Sequence, residues 1–147
     1  LLGFVDVGLP NFSPATRRFV LPKRGAEVDT AATELRPYVS NLAVAPSARN
    51  RGVGRLLMEE CERELRRWPG AYRALWLEVS LQNDALGFYR RIGYQQCGVT
   101  LGNEVVRRAF FFELAKVQRA LLCKELAGSS AAASHEDRAL LVGGAVS

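Results

Sequence analysis

The chain has 147 residues, 48% of them hydrophobic and 24% charged, which suits one globular domain and excludes a wholly disordered chain. No apolar run reaches the length of a membrane-spanning helix. Twenty basic against fifteen acidic residues give a net charge of +5, which favours anionic ligands, although most of the arginines are scattered as on a solvated surface.

Leu1–Leu9 reads as a strand, rich in Val and Phe. The chain opens directly in that strand and without a Met, so the expectation is that an upstream segment, with any targeting leader, precedes it. Pro10–Leu35 holds Pro10, Pro14, Pro22 and Gly25 with few apolar residues, and reads as a long surface loop. Tyr38–Val44 is a second strand, ended by Pro46, and Ser47–Arg51 form a polar turn. From Gly52 an amphipathic helix starts. Val53, Leu56, Leu57, Cys61, Leu65 and Trp68 supply its apolar stripe, Arg55, Glu59, Glu62, Arg63 and Arg66 its charged side, and Pro69-Gly70 its stop. Arg73–Ser80 is the next strand. Asn83 caps a second helix, Asp84–Ile92, which Gly93 ends. Tyr94–Thr100 and Arg119–Lys124 read as strands, and Val105–Lys116 fits neither period. Beyond Glu125 an Ala/Gly/Ser-rich stretch predicts a flexible tail over 126–147 after a domain at 1–125. Strands alternating with helices predict an α/β fold with a mixed sheet.

The three cysteines, Cys61, Cys97 and Cys123, are odd in number and widely spaced, and no CxxC is present. Neither a disulfide framework nor a metal site is expected, and reduced thiols point to an intracellular compartment. The single histidine, His135, falls in the tail.

Arg49-Asn50-Arg51-Gly52-Val53-Gly54 sits between a strand and a helix. A helix start exposes unpaired N–H groups with partial positive charge, and glycines let an anion approach the main chain. A P-loop needs Gly-Lys-Ser/Thr, but Arg55-Leu56 follows Gly54. A dinucleotide fingerprint needs a third glycine, but Leu57 stands there. On these residues alone, an anion site and a plain glycine turn both remain open.

Four blocks decide between them: Leu42-Ala43-Val44-x-Pro46, Arg49-x-x-Gly52-x-Gly54, Leu77-Glu78-Val79, and Asn83 followed by Phe88-Tyr89 and Gly93-Tyr94. In this order and spacing the chain resembles the GNAT (Gcn5-related) N-acetyltransferase superfamily from about Leu1 to Lys124. Trp76-Leu-Glu-Val79 is similar to ribosomal-protein N-terminal acetyltransferases, and the overall look to plant and algal plastid GNATs. The resemblance implies a mixed central sheet with flanking helices, and central strands that bulge and splay. By the resemblance, the strand and two helices that usually begin the family would come before the Leu1 strand, and they are expected to be missing from this chain.

The resemblance also implies acetyl-CoA as co-substrate, with no metal, and an amine as acceptor. Leu42, Ala43 and Val44 would lend main-chain groups to the pantetheine arm, while as side chains they also read as core. Arg49, Asn50, Arg51, Gly52, Val53, Gly54 and Arg55 would take the pyrophosphate. Asn83, a helix cap on its own pattern, would also face the coenzyme. Tyr89 shares a stripe with Ala85, Phe88 and Ile92, as a core aromatic does; by resemblance its hydroxyl would protonate the departing thiolate. Glu78 would be the general base, its plain alternative being a surface Glu on an edge strand. Ser40 and Asn41 would hold a water or the acceptor.

An α-amino group has a pKa near 8 and a lysine near 10.4, so a lysine costs about 3 kcal/mol more to deprotonate. A protein N-terminus is therefore the first expected acceptor, with lysines or arylalkylamines second. The expected location is intracellular; resemblance to plastid members admits a plastid, with the cytoplasm otherwise. Two rivals are a CoA-binding regulatory module without catalysis and a basic nucleic-acid-binding domain. The second is disfavoured, because Arg66-Arg67 and Arg90-Arg91 come with no array of stacking aromatics.

Overall fold

A computed structural model describes residues 1–20, 29–107 and 109–126; the side chains at 106 and 107 are not described. The elements are β1 (Gly3–Gly8), β2 (Asn11–Ser13), β3 (Arg18–Val20), β4 (Glu34–Leu35), β5 (Tyr38–Val44), a 3-10 turn (Pro46–Ala48), α1 (Val53–Leu65), β6 (Ala74–Ser80), α2 (Ala85–Arg91), β7 (Gln95–Arg107) and β8 (Phe112–Glu125). They divide into two compact units. The first runs from Leu1 to Leu77 and resumes at Cys123; the second is Glu78–Leu122.

In the first unit β5 lies between β1 and β6. It is antiparallel to β1 and parallel to β6. Helix α1 packs on β1 and β5. Gly3 makes that approach possible: a Cβ there would lie 3.1 Å from Leu57 Cδ1 and 2.6 Å from the Ala43 carbonyl oxygen. The expected surface loop at Pro10–Leu35 is instead the site of a second sheet, ordered β3-β2-β4. Phe12 anchors it, 2% exposed, with Phe19 edge-on and the Arg36 guanidinium stacked 4.0 Å above its ring. Proline-rich composition hid these strands, which are only two or three residues long and are held through one buried aromatic, Phe12.

Helix α1 departs from the sequence reading in three ways. It stops at Leu65, three residues before Trp68. Its last turn tightens, with Arg67 N–H donating to Glu64 O and Trp68 N–H to Leu65 O, because a residue before proline avoids helical geometry. Leu56, expected in the apolar stripe, is exposed. Glu62, expected on the charged side, is buried. The inner stripe is Met58, Cys61, Glu62 and Leu65, the i, i+3, i+4, i+7 positions of one face. Lys124, at the end of β8, donates to both Glu62 oxygens at 2.8 and 2.9 Å.

Burial, then the carboxylates of Glu62, Glu60 and Asp6, push the Cys61 thiol from 9.0 up to about 11. At pH 8 about 0.1% of it is then thiolate, against roughly 20% for an ordinary cysteine. Iodoacetamide at that pH is expected to leave Cys61 unmodified until denaturant is added, which mass mapping of alkylated peptides checks. The folded chain holds this proton more tightly than the unfolded chain. Its contribution to stability is therefore complete below pH 9 and lost as pH rises to about 11.

In the second unit β8 lies between the end of β6 and β7. The ambiguous Val105–Lys116 stretch is where β7 ends and β8 begins, so both strands run longer than Tyr94–Thr100 and Arg119–Lys124. Arg119 pairs with Glu104 at 3.1 Å. The Cys97 thiol donates to the Leu121 carbonyl. Cys61, Cys97 and Cys123 form no disulfide. At the start of the expected tail, Leu126 is buried and its N–H donates to Arg73 O at 2.7 Å, so packing continues one residue past Glu125. Residues 127–147, with His135, lie outside the described residues.

Candidate functional site

The β5 strand carries the irregularity that the resemblance implied. Asp6 pairs with Asn41 and Val7 with Val39, so Ser40 is an extra residue, a β-bulge. The bulge shifts the alternation: Val39 is buried, while Leu42 and Val44 are half-buried and Asn41 and Ala43 exposed. Within the first unit β5 pairs with β6 at Tyr38–Trp76 and Val39–Leu77. From Asn41 to Val44 it ladders with β1.

After β5 the chain turns through Pro46–Ala48, with Ala48 buried, and extends at Arg49 (φ −67°, ψ 155°). The Arg49 Nε donates to the Val44 carbonyl at 3.2 Å, which ties the turn to the strand end. Asn50 and Gly52 adopt left-handed conformations, φ 57° and 81°. Asparagine tolerates this region and glycine is free in it.

Gly52 begins α1 without any side-chain cap, and no acidic residue stands in the first turn. The first helical bond described is Leu56 N–H to Gly52 O, so the amides of Val53, Gly54 and Arg55 precede the ladder. Arg51 and Arg55 are exposed beside them. Arg55 is partly engaged, its Nε donating to Glu59 at 2.9 Å. Uncapped amides, a 13-residue helix dipole and three arginines form a cationic cradle for a phosphate group.

Glu78 is half-buried on β6, between the buried Leu77 and Val79. Among the described residues its carboxylate has no hydrogen-bond or ion-pair partner. Asn83 caps α2, as expected: its Oδ1 accepts the Ala85 N–H at 2.8 Å. Tyr89 is buried, with Phe88 and Tyr94 edge-on at 5.2 and 6.0 Å. Burial raises its pKa above the usual 10.0. Residues 40–55 belong to the first unit, and Glu78, Asn83 and Tyr89 to the second.

Sequence reading missed Asp6, whose carboxylate accepts from Asn41 Nδ2 at 3.0 Å. Thirty-five residues separate the two, and strand register alone joins them.

The model of the acetyltransferase (GNAT) family matches residues 11–94, more than half of the chain. The chain belongs to the GNAT acetyltransferase family. Among curated proteins it is similar to the streptothricin acetyltransferase of Streptomyces lavendulae, 39% identical over 75 residues. That match covers 50% of this chain and 39% of the relative. Among solved structures it resembles Naa20 of Chaetomium thermophilum bound to a bisubstrate analogue, with a TM-score of 0.58 and 22% identity over 85% of this chain and 60% of that one. It also resembles Arabidopsis thaliana NAA60 with acetyl-CoA, with a TM-score of 0.61 and 19% identity over 87% of this chain and 67% of that one. The chain therefore spans less than two thirds of the curated relative and of the Naa20 structure. At these identities the structural likeness shows the GNAT fold. No helix among the described residues is long and apolar enough to cross a membrane.

Proposed function

We propose that this GNAT chain binds acetyl-CoA and transfers its acetyl group to an amine, first of all a protein or peptide N-terminus. The observation that carries the reading is the uncapped start of α1, with left-handed Asn50 and Gly52, behind a bulged strand. The amides of Arg51–Gly54 receive the pyrophosphate, with Arg49 and Arg55 beside it, and main-chain groups of Leu42–Val44 receive the pantetheine arm.

Glu78, through a water, takes the proton of the acceptor ammonium, and Ser40 and Asn41 help hold that water or the acceptor. The free amine attacks the thioester carbonyl, and main-chain N–H groups near Leu42–Ala43 stabilise the oxyanion. The carbon–sulfur bond breaks, and Tyr89 gives its proton to the thiolate. Its raised pKa keeps that proton in place, so loss of activity from its ionisation falls above pH 10. Asn83 adds a contact to the coenzyme. This chemistry calls on no metal.

The streptothricin relative favours a second acceptor class, a small-molecule amine, and lysines or arylalkylamines fall under the same test. Peptide libraries and small amines, incubated with acetyl-CoA and the full-length chain and read by mass spectrometry, separate the classes. Localisation in a plastid or in the cytoplasm belongs to the same proposal, and imaging of a tagged full-length chain reads it.

The coenzyme site is tested by calorimetry. Gly52→Val has room for its Cβ but forces a branched residue to φ 81°. At about 2 kcal/mol of strain, acetyl-CoA affinity is expected to fall roughly 30-fold. No heat with the parent chain, or unchanged affinity in the variant, rejects the site.

A further inference from the structure

Asp6 on β1 and Asn41 on β5 are register partners, the last regular pair before the bulge at Ser40. The Asp6 carboxylate accepts from Asn41 Nδ2 at 3.0 Å. At neutral pH a carboxylate accepts hydrogen bonds and donates none, so the amide turns its nitrogen towards Asp6 and its oxygen away. Asn41 Oδ1 is thereby fixed as an acceptor beside the carboxylate. Both side chains are exposed. Alternation puts Phe4 and Asp6 on the face of β1 opposite Gly3, whose added Cβ would meet Leu57 of α1. Phe4, 47% exposed, and its register partner Ala43 are the neighbouring pair on that face.

Glutamates of the same unit have cations: Arg36 on Glu34, Arg55 on Glu59, Arg63 on Glu60, Arg67 on Glu64 and Lys124 on Glu62. Asp6 has an amide and, among the described residues, no cation. Basic residues outnumber acidic ones by 20 to 15, so a shortage of cations does not explain it. A carboxylate beside an aligned amide oxygen is a receptor for a cation from outside the chain. Two side chains are too few for a metal ion, which takes four or more ligands. A primary ammonium, with three N–H donors on a compact charge, fits both oxygens and a water.

We propose that Asp6 and Asn41 bind the acceptor in its ammonium form, with Asp6 selecting a cationic amine and Phe4 and Ala43 receiving the carbon chain next to it. The inference rests on the amine-acceptor reading above and names the residues that recognise that amine. An α-amine is about 90% protonated at pH 7, so the ammonium is the form met on arrival. The contact belongs to the ground state and ends when the amine gives up its proton, so its loss raises KM without lowering kcat.

The test uses alaninamide, an N-terminus in miniature, and lactamide, its neutral isostere with a hydroxyl in place of the amine. NMR titration of the isotope-labelled full chain at pH 7 reads the Asn41 side-chain amide. Alaninamide is expected to shift that signal and lactamide to leave it in place. Asp6→Asn keeps the shape and removes the charge, and alaninamide affinity then falls roughly 10-fold, the lower end for a hydrogen bond to a charged group. In turnover with acetyl-CoA the same variant raises KM for alaninamide by that factor. Its kcat, acetyl-CoA affinity and thermal unfolding stay unchanged, which a merely structural role would not give. Equal binding of the two amides, or an unchanged KM in the variant, overturns the proposal. Should the variant fail to fold, the comparison of the two amides on the parent decides. A parent that separates the amides but releases no thiol rejects the transfer reading and leaves the cation site standing.

Discussion

Glu78→Gln lowers kcat by roughly 10²–10⁴-fold, the range of a positioned general base, and leaves acetyl-CoA affinity unchanged. The amide has the size and shape of the carboxylate, so β6 keeps its packing between Leu75, Leu77 and Val79, but it takes no proton at neutral pH. A half-buried carboxylate in an apolar strand carries a desolvation cost that a partner normally offsets, and Glu78 has none among the described residues. A base awaiting a water and an amine accounts for that. Steady-state assay of released thiol, with calorimetry alongside, reads the split. A variant within about threefold of the parent rejects the role. If Glu78→Gln and Tyr89→Phe together leave the biological function intact, the chain is a coenzyme sensor instead.

Lys124→Met destabilises the fold by about 3 kcal/mol, the lower end for breaking a buried ion pair, because Lys124 keeps a quarter of its side-chain surface in water. The Glu62 carboxylate, 8% exposed, is then left without the ammonium that holds both its oxygens. Thermal unfolding drops by roughly 6–12 °C for a chain of this size. Glu62→Leu combined with Lys124→Met recovers most of the loss, since two apolar side chains fill the site without a buried charge. A single-variant loss below about 0.5 kcal/mol marks the pair as an ordinary surface contact.

Much of the local structure at the candidate site was legible in the sequence. Strand β5 matches Tyr38–Val44 residue for residue. Gly52 is the left-handed residue that opens α1, and Asn83 caps α2 through its side chain. Each depends on residues close along the chain: a β-branched run, a conformation glycine adopts freely, an amide two residues from its partner. The reading failed where the cause is distant. Met58, Cys61, Glu62 and Leu65 keep strict helical spacing, but a Glu in that stripe reads as solvent-facing until Lys124 is brought against it from 62 residues away. Composition suggested a loop where Phe12 gathers Phe19, Arg36 and Trp76.

The sequence by itself determined the family, the strands and helices between Tyr38 and Ile92, and the glycine turn before α1, because short-range backbone preferences and hydrophobic period set these. Tertiary structure alone decided that Glu62 is inside, that Asp6 holds Asn41 and that Ser40 is the bulged residue. Those outcomes depend on register between segments tens of residues apart. A one-residue change of register moves a strand's side chains to the opposite face, and no local pattern specifies which register is adopted.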